Sequence, residues 1–149
     1  MYTTIVYQHI AAFMGKQCMK ISFLMLFAII QCFTALCWAN DDTIETLYKN
    51  HQSDVQVFGR GLVVKILRDD VKGSRHQKFI LRLDSGHTLL VAHNIDLAPR
   101  LDSLAELDVV EFYGEYEWNL KGGVIHWTHH DPNNKHVAGW LRHKGRKYD

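Results

Sequence analysis

Cysteine is confined to the beginning of this 149-residue chain: Cys18, Cys32 and Cys37 all precede Asn40 and none follows. Beyond that point the chain can form no disulfide and carries no thiol chemistry, so packing alone must hold it together. Proline occurs only at Pro99 and Pro132, and no low-complexity tract, internal repeat or second-domain pattern is present. Neither sign of charge dominates. After Ala39 there are fifteen basic against sixteen acidic side chains, which excludes a strong electrostatic grip on nucleic acid or anionic lipid. A P-loop, a dinucleotide fingerprint and a Ser-centred elbow are also absent. Histidine, by contrast, is plentiful. Nine of the ten histidines follow Asn40, so the charge should climb steeply below about pH 6.5.

The beginning of the chain reads as an export leader. Met19-Lys20 gives a start with one positive charge, the apolar run from Ile21 to Leu36 follows, and Cys37-Trp38-Ala39 places small residues where signal peptidase requires them. Cleavage is expected before Asn40, to release a product to the periplasm or the outside. The alternative is an uncleaved anchor, since residues 21–39 approach the ~20 apolar residues that span a bilayer. Residues 1–18 add Lys16 without any domain-like pattern and read as an upstream start set in error or as a lengthened leader. Residues 40–149 are long enough for one core.

Within that domain the pattern is mostly β. Asp42-Thr-Ile-Glu45 resembles a capping box, with Ile44, Leu47 and Tyr48 on one face of a short N-terminal helix. From Val55 the period becomes two: Val55, Val57, Leu62, Val64 and Ile66 form one strand, bent at Gly59 and Gly61. Phe79, Leu81 and Leu83 mark the second strand, residues 88–95 the third, and Asp84-Ser-Gly86 joins them as a hairpin. Pro99 with Leu97, Leu101 and Leu104 predicts a short helix between strands three and four. Val110, Phe112, Tyr116 and Trp118 mark strand four, Gly122-Gly123 a turn, and residues 124–128 strand five. This order predicts a small five-stranded OB-like barrel. The basic, aromatic tail from His136 is expected to add a strand or to lie across it.

The densest chemical feature is His126-Trp-Thr-His-His-Asp131. On a straight strand His126, Thr128 and His130 would share a face, but residues i and i+4 lie ~13 Å apart, so a divalent transition metal held by His126, His129, His130 and Asp131 requires a bend. The competing reading has these histidines bonded to loop carbonyls. Close packing among His126, His129 and His130 would lower their pKa values by mutual repulsion, and stability would then fall in acid. His93, Asn94 and Asp96 close the third strand, where they can meet a ligand or cap a turn. His76 lies in the basic run Arg75 to Lys78, and in OB barrels the second and third strands usually present the ligand face. A small ligand, a sugar or a single nucleic-acid strand would suit such a face. Glu111, Glu115 and Glu117 read as solvated strand-face charges.

Four separated motifs carry a resemblance: the run from Gly73 to Leu81, that from His93 to Pro99, that from Phe112 to Tyr116, and that from His126 to Pro132 with Gly139-Trp140. Together they resemble a bacterial family, the domain of unknown function 3465. The resemblance implies small exported proteins without an assigned activity, so it carries no catalytic role. Two expectations follow from the residues: a binding module approached through His76, His93, Asn94, Asp96, His126 and Thr128, or a metal-assisted hydrolase, phosphodiesterase-like, built on His126 to Asp131.

Overall fold

The computed structural model describes residues 41–149. The expected leader, its cleavage site and residues 1–18 lie outside them. Among the described residues no helix is long and apolar enough to cross a membrane.

Helix α1 (Asp41–Lys49) precedes the strands and buries Ile44 and Leu47, three residues apart on one stripe. It ends where His51 takes the left-handed conformation, φ 54°, and the Gln52 N–H returns to the Leu47 carbonyl at 2.9 Å. That bond satisfies a carbonyl the last turn would leave open.

Five strands then close a barrel: β1 (Val55–Ile66), β2 (His76–Arg82), β3 (Thr88–Asn94), β4 (Val109–Glu117) and β5 (Val124–His126). β1 pairs antiparallel with β2, β2 with β3, β4 with β5 and β1 with β4, while β3 and β5 run parallel. Closure depends on β1 serving two partners. Its first part, Val55 to Leu62, lies along β4, and Leu62 to Ile66 lies along β2. Within the first part, Gly59 and Gly61 point inward. A Cβ on Gly59 would overlap the Phe112 ring, and one on Gly61 would stand 2.9 Å from the Arg82 carbonyl oxygen. Missing side chains therefore let the strand curl tightly over its neighbours.

Alternate residues fill the interior, with Phe79, Leu81, Leu89, Val91, Val110, Phe112, Tyr116 and Ile125 fully buried. The C-terminal segment adds β6 (Trp140–His143) and β7 (Arg146–Tyr148). β6 lies beside Val110 to Tyr113 on the edge of β4 that β5 occupies further along, and Leu141 and Tyr148 join the core.

Two expectations need correction. Residues 95–108 form turns rather than a helix between strands three and four. The Gln77 side chain takes both the N–H and the carbonyl of Leu101, at 2.9 and 3.0 Å, and the Pro99 carbonyl is bonded to His93. These are the backbone groups a helix would have used for itself. Strand five also stops early, at His126, because Trp127 turns to φ 51°. His126, Thr128 and His130 consequently do not share a strand face.

Candidate functional site

The alternation that buries one side of the barrel sheet sets the other side outward as ordered rows. Ile80 and Leu90 are register partners, Leu90 neighbours Val124, and Val124 faces Glu117. In the next row Lys78 pairs with Ala92, and His126 with Glu115. The outward face is thus apolar along the row of Ile80, Leu90 and Val124 and turns polar along the rows of Lys78, Glu115 and His126.

Over the apolar part lies a groove of about 740 Å³, bordered by Leu67, Ile80, Leu90, Trp118, Leu120 and Lys121. Its walls are the loop after β1 and the loop between β4 and β5. A smaller cavity of about 270 Å³ lies between His76, Ala92, Asn94, His126, Trp127 and His129.

The expected site residues divide between these surfaces and the interior. His93 is fully buried. Its Nε2–H donates to the Pro99 carbonyl at 3.1 Å, and its Nδ1 accepts from the Thr128 hydroxyl at 2.8 Å. A carbonyl can only accept, which fixes that tautomer. Burial pushes the His93 pKa down to about 4. His93 and Thr128 thus tie the end of β3 to the chain beyond β5 and present nothing to a ligand. Asn94 borders the small cavity and accepts the Asp96 N–H at 2.9 Å, closing a turn. Asp96 accepts from both the backbone N–H and the Nε of Arg75, at 2.7 and 2.6 Å, which holds its pKa low. His76 lines the cavity with Nδ1 held 2.8 Å from the Ser74 carbonyl.

The expected metal set does not come together. Asp131 is buried, and its two oxygens accept N–H groups of Asn133, Lys135 and His136 at 2.7–3.0 Å. Those backbone bonds keep its pKa low and leave it organising its own loop. His129 donates Nδ1–H to the His130 carbonyl at 2.8 Å, and the His130 side chain is exposed. Register places His126 instead against Glu115 and Glu117, at 3.6 and 4.0 Å. Burial lowers the His126 pKa in spite of both carboxylates, so desolvation rather than repulsion among histidines sets it. The two glutamates are half-buried members of this group rather than solvated charges. Their spacing in β4, two apart, put them on one face; the ladder that joins them to His126 is not visible in local spacing.

The basic run beside β2 is largely paired. Arg75 is engaged by Asp96, and Lys78 stands 3.6 Å from Asp70.

Fold and surface define a small closed-barrel protein with a grooved outer sheet face. The chain belongs to the family described as protein of unknown function (DUF3465), whose model matches residues 27–149. No curated protein and no solved structure matches it.

Proposed function

We propose that this barrel is an OB-type ligand-binding module that takes a small molecule with an apolar body on its outward β2–β3 face, and that the leader exports it. The observation carrying this reading is the groove of about 740 Å³ bordered by Ile80, Leu90, Trp118 and Leu120. Ligand pockets are concave and mostly apolar, with a few polar groups, and their volumes run from ~300 to ~1,000 Å³. Lys121 and Asn119 supply the polar rim. The pairing of Arg75 and Lys78 with carboxylates favours this ligand over a single nucleic-acid strand, and Asp131's engagement by backbone N–H groups disfavours a hydrolase built on the histidine run.

Because Trp118 borders the groove, its fluorescence reports occupancy. Titration with 1-anilinonaphthalene-8-sulfonate should quench it, and Leu90→Gln should weaken the probe's affinity by about tenfold, the worth of losing ~1.4 kcal/mol of apolar contact. Mass spectrometry of a solvent extract of the native protein should recover one apolar compound. Equal probe binding by Leu90→Gln and its parent would refute the reading.

A further inference from the structure

The polar end of the same sheet face carries a second, independent arrangement. Glu115, Glu117 and His126 each offer one ligand atom within 4.8 Å of the other two. Their placement is fixed by the sheet: Glu115 is the register partner of His126, and Glu117 lies two residues along the same face of β4. The His126 Nε2 is itself buried and has no hydrogen-bond partner, although carboxylate oxygens stand 3.6 and 4.0 Å from it. Those separations are too long for hydrogen bonds. Of the three groups, the His126 nitrogen is the one left buried without a partner, a costly state for a polar atom, and two carboxylates converge on it.

A metal ion would give that nitrogen a partner and offset the charge of both carboxylates. Ligand bonds of about 2.0–2.1 Å in tetrahedral geometry set neighbouring ligand atoms about 3.4 Å apart. Separations of 3.6 and 4.0 Å require only small side-chain adjustments to reach that. Two carboxylates with one imidazole, and no thiolate, suit zinc, manganese, iron, cobalt or nickel as divalent ions rather than copper(I). His136 flanks the set, its Nδ1 3.6 Å from the second Glu115 oxygen and its ring stacked on Trp127 with centroids 3.7 Å apart. His126 also borders the small cavity next to His76 and His129, which gives water or a bound anion room to complete the coordination. We propose that Glu115, Glu117 and His126 form a binding site for one divalent transition-metal ion.

The full chain, purified without an affinity tag and stripped by chelator, is titrated with Zn²⁺ by calorimetry and with Co²⁺ by visible absorption. One equivalent per chain is expected, with cobalt bands of a four-coordinate nitrogen–oxygen site. Glu117→Gln and His126→Gln should each weaken zinc by about 100-fold or more. His130→Gln should bind as the parent does. Circular dichroism of each variant establishes that it is folded, and Glu117→Asp, which keeps the carboxylate, should retain binding. Absence of stoichiometric zinc, parental affinity in folded Glu117→Gln and His126→Gln, or a loss seen instead in His130→Gln each overturns the proposal. The groove variant Leu90→Gln should leave zinc binding unchanged, so failure of one site is distinguishable from failure of the other.

Discussion

His93 shows how one buried ring sets an acid limit on the domain. Its pKa is pushed down to about 4 by burial, from an ordinary value near 6.5. Between those values the unfolded chain holds a proton that the folded one excludes. Stability is therefore complete above about pH 6.5 and falls as pH drops toward 4, by at most about 3 kcal/mol at ~1.4 kcal/mol per unit. His126, lowered in the same direction, adds to the loss. Urea melts between pH 7.5 and 4.5 should show a falling midpoint, with a shallower slope in His93→Gln; a level parent profile contradicts this account. The run from His126 to Asp131 was legible as a dense feature, but its roles were not. Whether an aspartate ligates or closes a loop depends on which N–H groups the folded backbone turns toward it, and Asp131 receives three. His93 gave no local sign of burial, because its partners Thr128 and Pro99 lie in other segments.

Among the elements, the strands were the readable part, since a surface buried on one side writes a period of two into Val55 to Ile66, His76 to Arg82 and Val109 to Glu117. The glycine-bent first strand was equally plain. Replacing Gly59 by Ala forces a methyl group against the Phe112 ring, and overpacking of this kind costs ~1–3 kcal/mol. A urea midpoint within error of the parent would mean that β1 can uncurl without loss. Leu97, Leu101 and Leu104 have helical spacing without a helix, because the competitor for the backbone groups of residues 95–108, Gln77, sits on another strand. Leu97 is in fact half exposed, and only Leu101 of the three is fully buried. Helical spacing in a loop of this length cannot reveal that a side chain elsewhere has claimed the peptide groups.

At the scale of the molecule, the tail from Trp140 is part of the core rather than an appendage. Leu141 is completely buried between β4 and the barrel interior, so Leu141→Ala should cost ~2–5 kcal/mol by cavity formation. Thermal denaturation decides it: a melting temperature unchanged from the parent would show that the hairpin only decorates the surface. Asp108 secures the same hairpin. It accepts the Ala105 N–H, and His143 Nε2 and Lys144 Nζ lie 2.8 and 3.1 Å away. The backbone bond first, then His143, holds its pKa at about 2, so this anchor keeps its charge until strongly acidic pH.

Curling β1 onto β4 also governs how quickly the molecule can form. The closing pair joins Val55 to Tyr116 and Leu62 to Val109, contacts between segments separated by the whole of β2 and β3. Little of that pairing returns free energy until the intervening chain has been ordered, so the entropy of bringing these segments together falls on the transition state. Domains dominated by such long-range pairings fold in about milliseconds to seconds rather than microseconds. A newly made chain accordingly passes through an interval in which the inner faces of β1 and β4, with Val57, Phe112 and Tyr116, stand open to water, and during that interval a chaperone has something to hold.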